Sequence, residues 1–91
     1  MKDVIQKNVE AGVETIFKMK LTRKMFLVKN FTVDNIEVRL GDNMTKSVIG
    51  AGSYEVIYNN DDEDRMKDAS KTNIVKVKAQ AGGLVEVAAI D

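Results

Sequence analysis

The chain contains no cysteine, histidine, tryptophan or proline. Without cysteine there is no disulfide framework, no zinc–thiolate site and no thiol nucleophile. A cysteine-free chain is compatible with a cytoplasmic origin. Without histidine the commonest general base, the commonest transition-metal ligand and the usual pH switch are all missing. Long apolar runs are missing too, so no membrane-spanning helix is expected. Residues 1–10 are polar and lack the apolar stretch of a signal peptide, so no secretory route is expected. The two sequons, Asn30-Phe31-Thr32 and Asn43-Met44-Thr45, then read as chance occurrences.

A charge excess of either sign is also absent: 14 Lys and Arg balance 14 Asp and Glu. That removes whole-molecule attraction to nucleic acid or to an anionic membrane. The charge is unevenly spread, however. Residues 1–46 carry nine basic and six acidic side chains, and residues 47–91 carry five and eight.

What is present is ordinary globular material. With 44% hydrophobic and 31% charged residues, the 91-residue chain has enough apolar surface for one modest core and no room for two domains. The pattern divides at residue 12. In residues 1–12, Asp3 is a possible cap for a short helix carrying Val4, Ile5 and Val9 and ending at Gly12. Their spacing suits an extended arm equally well. Residues 13–91 have the period of two expected of strands. Val13, Thr15, Phe17, Met19 and Leu21 share one face, opposite Glu14, Lys18 and Lys20, with Ile16 out of pattern. Residues 25–30 form a continuously apolar run. Ile36, Val38 and Leu40 alternate with Glu37 and Arg39, and Val48-Ile49 is a short strand ending at Gly50. Tyr54, Val56 and Tyr58 lie opposite Glu55 and Ile57. Lys76 and Lys78 alternate with Val75, Val77 and Ala79, and Val85, Val87 and Ala89 follow. Gly82-Gly83 between these last two runs reads as a tight hairpin over Ala79–Ala89. The expectation is a mainly β domain: a small antiparallel sandwich or barrel of six to eight strands, with a short N-terminal helix or arm.

No motif carries chemistry. Gly50-Ala51-Gly52 lacks the third glycine, the lysine and the following helix of a phosphate loop, and reads as a strand connection. Asp61-Asp62-Glu63-Asp64 lacks the sixth-position glycine and twelfth-position glutamate of a calcium loop, and reads as a solvated acidic loop. Lys18, Lys20, Arg23, Lys24 and Lys29 form a basic stretch with Phe17 and Phe31 near it in sequence, but Phe17 falls on the apolar face. Lysine protection of a strand edge explains the stretch without nucleic acid. Ser47, Ser53 and Ser70 have no histidine partner, and strand alternation alone accounts for Glu14, Glu37, Glu55 and Glu86. No catalytic, cofactor-binding or metal-binding residue is assigned, and no enzymatic activity is expected.

Two segments have a family cast: Phe26-Leu27-Val28-Lys29-Asn30-Phe31-Thr32 leading into Ile36-Glu37-Val38-Arg39-Leu40, and residues 47–57 with Gly50-Ala51-Gly52-Ser53 at their centre. Over residues 25–58 the chain resembles small β-sandwich accessory proteins of phage and prophage particles, which decorate capsids or form head fibres and tail parts. Gly50 departs from that pattern, where a residue better suited to a strand is expected. The resemblance implies a non-enzymatic virion component, located in the particle or the bacterial host cytoplasm. Its partners would be copies of itself, with capsid or tail proteins beyond them. The alternative is a soluble module binding a peptide or saccharide through the loops at Gly41–Lys46 and Asn59–Thr72. A third reading is a nucleic-acid accessory role for the Lys18–Lys29 stretch.

Overall fold

A computed structural model describes residues 3–42, 46–59 and 71–90. Eight strands follow in order: β1 (Val4–Val9), β2 (Glu14–Arg23), β3 (Met25–Asn30), β4 (Ile36–Leu40), β5 (Ser47–Ile49), β6 (Tyr54–Tyr58), β7 (Thr72–Ala79) and β8 (Gly83–Ala89). They make two four-stranded antiparallel sheets, ordered β1-β8-β3-β6 and β2-β7-β4-β5. The acidic run Asp61–Asp64 lies outside the described residues.

The pairings nest. β1 pairs with β8, β2 with β7, β3 with β6, and β4 with β5. The chain is thus one long antiparallel ribbon with its tip between β4 and β5. Rolling the ribbon joins β3 to β8 and β4 to β7. This is the double Greek key of a jelly roll.

The core forms where the inner rows of the two sheets meet. Phe26, Val28, Val85 and Val87 come from the first sheet, and Phe17, Met19, Ile36, Val38, Leu40, Ile49, Val75 and Val77 from the second. All are buried at 2% exposure or less, so the period-two reading of these strands places their side chains correctly.

Three expectations are corrected. The N-terminal segment is not a helix: residues 4–9 are a strand on the edge of the first sheet. Its inward positions are Ile5, Lys7 and Val9, and the lysine at the middle one disguises the alternation. The sheets do not close into a barrel. Among the described residues, no backbone ladder joins β1 to β2 or β5 to β6. Finally, β7 and β8 are not a hairpin. They lie in different sheets, and residues 80–82 turn the corner between them. The two glycines serve close approach here. A Cβ at Gly82 would sit 3.2 Å from the Val9 carbonyl oxygen, and one at Gly83 would sit 3.0 Å from Thr32 Cγ2.

The corner belongs to a bonded end of the sandwich. Gln80 N donates to Asn35 O, Phe31 N to Leu84 O and Gly12 N to Ala79 O. Asn30 anchors this end at 1% exposure. Its amide nitrogen has the carbonyls of Asp34, Ile49 and Gly50 within 2.8–3.1 Å. Its Oδ1 accepts from the amide and the hydroxyl of Thr32 at 2.9 and 2.7 Å. The first sequon is therefore a buried structural clasp, with its asparagine amide consumed by the fold.

Candidate contact surfaces

The outer face of the first sheet is built from the positions that alternate with the core. Register places Val56 opposite Leu27, Leu27 opposite Ala88, and Ala88 opposite Val4. An apolar row therefore crosses all four strands. Val4 and Val56 are 44% and 39% exposed, while Leu27 and Ala88 are half-buried between them. The Tyr58–Met25 pair widens the band on one side. On the other side lies a polar row, Tyr54, Lys29, Glu86 and Gln6. There Gln6 Nε2 donates to Glu86 Oε1 at 2.7 Å, and Lys29 Nζ lies 3.3 Å from Glu86 Oε2. The Gln6 hydrogen bond, helped by Lys29, holds the Glu86 carboxyl below its ordinary value against the opposing effect of desolvation.

β6 lies on this sheet with its polarity reversed. Ile57 is buried, Glu55 shares its inward-facing side, and Tyr54 is 70% exposed. The alternation in residues 54–58 is real, but the two-tyrosine face is the outer one. Glu55 therefore does not sit on a polar outer face as Glu14, Glu37 and Glu86 do.

The outer face of the second sheet is charged instead. Glu14, Lys78, Glu37 and Val48 form one cross-strand row, and Ile16, Lys76 and Arg39 the next. Arg39 Nη2 approaches Glu14 Oε2 at 3.2 Å, and Lys46 Nζ approaches Glu37 Oε2 at 3.7 Å. An open depression of about 400 Å³ lies among Glu14, Glu37, Arg39, Lys46, Lys76 and Lys78. Its two carboxylates each face a cation, Glu14 with Arg39 and Glu37 with Lys46.

The basic stretch does not form one patch. Lys18 and Lys20 are exposed on β2 of the second sheet, whereas Lys29 is paired with Glu86 on the first. Phe17 is fully buried. Ser47 and Ser53 border β5 and the turn after it, and Ser70 lies outside the described residues. Gly50-Ala51-Gly52 is a turn between β5 and β6: Ser53 N bonds Gly50 O, and Gly52 has φ 71°. The described residues contain no helix long and apolar enough to cross a membrane.

One functional-looking group was invisible in the sequence. Asp3, read there as a helix cap, is 5% exposed and faces the second sheet. Its Oδ1 accepts from Lys20 N at 3.1 Å and its Oδ2 from Leu21 N at 2.8 Å. Those amides fall where the β2–β7 register shifts, between Lys18 and Arg23. The carboxylate supplies what the interrupted ladder does not.

No family model matches the chain, and no curated protein or solved structure shows significant similarity to it.

Proposed function

We propose that this protein is a non-enzymatic structural or assembly component of a phage-type particle, acting through contacts between its own copies and with capsid or tail proteins. The observation that carries the self-association is the apolar row Val4–Ala88–Leu27–Val56 across the outer face of the first sheet. A solvated antiparallel sheet ordinarily alternates apolar-in with polar-out, and the second sheet of this protein does so apart from Ile16 and Val48, which sit separately among charged residues. The first sheet departs from that rule over a continuous band, the pattern of a surface that is covered in use. The phage assignment draws on the resemblance over residues 25–58. The jelly-roll topology suits it but does not select it, since capsid and lectin domains share that topology. On this reading the protein resides in the virion or the host cytoplasm.

Sedimentation velocity over a wide concentration range tests the reading. The expected result is a reversible increase in mass with concentration, together with retention on capsid or tail proteins of the matching particle. A sharply monomeric species throughout, with no affinity for such proteins, would overturn it.

One observation favours the peptide- or saccharide-binding alternative. Phe31 and Tyr54, exposed at 54% and 70%, sit at the same end of the sandwich, since Tyr54 pairs with Lys29 two residues before Phe31. This is the end opposite the loop after β4. Of the loops first considered, residues 43–45 and 60–70 lie outside the described residues. Titration of oligosaccharides and peptides, followed by NMR shifts of the Phe31 and Tyr54 rings, separates the readings. Saturable shifts would support a binding module, and unmoved rings would count against it.

A further inference from the structure

The open edge of β6 carries a more specific inference, which rests on the self-association reading and names its interface. Among the described residues each sheet has two edges, formed by β1 and β6 in the first and by β2 and β5 in the second. Three of these four edges carry a device that discourages pairing with another chain. β1 has an inward lysine: Lys7 Nζ crosses to donate to Ile16 O at 2.8 Å and lies 5.3 Å from the centroid of the Phe17 ring. β2 carries the exposed Lys18 and Lys20 and an irregular register. β5 is only three residues long. β6 has no lysine, proline or bulge among its five residues. Its one charge is Glu55.

The free hydrogen-bonding groups of this edge can be assigned. Asn30 N bonds Ser53 O and Asn59 N bonds Lys24 O, both in the register of the β3–β6 pair. Bonded positions alternate along an antiparallel ladder. Ser53, Glu55, Ile57 and Asn59 therefore bond β3, while Tyr54, Val56 and Tyr58 direct their N–H and C=O groups to the side where, among the described residues, no strand lies. The same three residues carry the outward-facing side chains, and the sequence Tyr-Glu-Val-Ile-Tyr is nearly palindromic about Val56.

We propose that β6 pairs antiparallel with β6 of a second copy about a two-fold axis at Val56. In that register Val56 faces Val56, and Tyr54 of each copy faces Tyr58 of the other. These positions are the ones with free backbone groups, so the seam gains about six hydrogen bonds. Glu55 falls opposite Ile57 of the other copy, which keeps like charges apart at the seam. The two first sheets become one eight-stranded sheet. The apolar rows join through Val56 into a single band, and an isologous contact of this kind closes at the dimer.

Amide hydrogen exchange on the unmodified protein, read residue by residue at low and high concentration, is the direct test. The expected result is that the Tyr54, Val56 and Tyr58 amides exchange fast when dilute and become protected together as mass doubles. The Glu55 and Ile57 amides should be protected throughout. Val56→Lys puts two ammonium groups on the axis, and Val56→Pro removes a donor that β3 does not use. Each should weaken the dimer by about tenfold or more while leaving the β-sheet circular dichroism intact. Association with the three amides still fast would overturn the β6 seam but leave self-association standing. A monomer at every concentration would overturn both.

Discussion

The two lateral margins of the sandwich are built differently. Along one, β1 of the first sheet faces β2 of the second, and side chains lace them together. The Asp3 carboxylate takes two β2 amides, and Lys7 reaches the Ile16 carbonyl over the Phe17 ring. Along the other, β5 faces β6, and among the described residues it is the Asn30 side chain that ties them, through the Ile49 and Gly50 carbonyls at one end. The laced margin places its charges inward, where they bridge the sheets. The open margin places two tyrosines and a valine outward and leaves a row of backbone groups unpaired by β3. An edge sealed by its own side chains serves the monomer, whereas an edge left self-complementary is available to another chain.

The largest expected effect comes from core truncation on the two sides. Phe17→Ala, at the laced margin, removes a fully buried ring and should cost about 3–5 kcal/mol, enough to unfold much of a domain this size. Ile57→Ala, at the open margin where exposure is already 7%, should cost about 2 kcal/mol. Urea unfolding of both variants measures the difference, and equal costs would erase this contrast between the margins.

Next is the carboxylate lace. Asp3→Ala leaves two backbone donors of β2 without their acceptor and should cost about 2 kcal/mol, with Asp3→Asn recovering part of it through its remaining oxygen. Hydrogen exchange should then accelerate at Lys20 and Leu21 specifically. An Asp3→Ala variant as stable as the parent would show that water substitutes for the lace at no cost.

Lys7→Met keeps most of the stem over Phe17 and loses the bond to Ile16. It should cost about 1 kcal/mol or less, because the bond is exposed to solvent. Its more telling consequence is exposure of the β1 edge, so slow aggregation on storage is the expected second readout. A variant as resistant to aggregation as the parent would remove Lys7 from the list of edge devices.

The smallest effect is a pH dependence. The Glu86 carboxyl is held below its ordinary value in the folded protein, so the unfolded chain binds that proton more readily. Its stabilisation is present above the ordinary carboxylate range and is lost as pH falls through the lowered folded value. Glu86→Gln should lower stability slightly at neutral pH and leave it unchanged in acid, which flattens the limb of the stability curve below about pH 5. A limb as steep as that of the parent would assign the acid dependence to other carboxylates.

The resemblance to phage accessory proteins, the expectation of no enzyme chemistry and the homo-oligomer expectation all come from the chain alone. The candidate surfaces were only partly legible. Lys18–Lys29 reads as a patch along the sequence but divides between two sheets, because β2 and β3 cross from one to the other. Asn30 reads as a sequon and is a clasp, since nothing local reveals that Ile49 and Gly50 pass beside it. The hydrogen-bond parity of β6 exists only once β3 is known to be its neighbour.

By itself the sequence determined where β2 to β8 lie and, for most of them, which side chains enter the core. Alternation is a local property, written in neighbouring residues, and burial on one face of a strand reads it directly. Only the tertiary structure decided the partners. Residues 74–79 and 84–89 alternate like a hairpin, yet each bonds strands far away in sequence, with Val4 meeting Ala88. Period-two patterns state that a strand has two faces and carry no label for its neighbour. An inward lysine, Lys7, hid the alternation of β1, while the missing partner label left the inner face of β6 and its open edge to the fold.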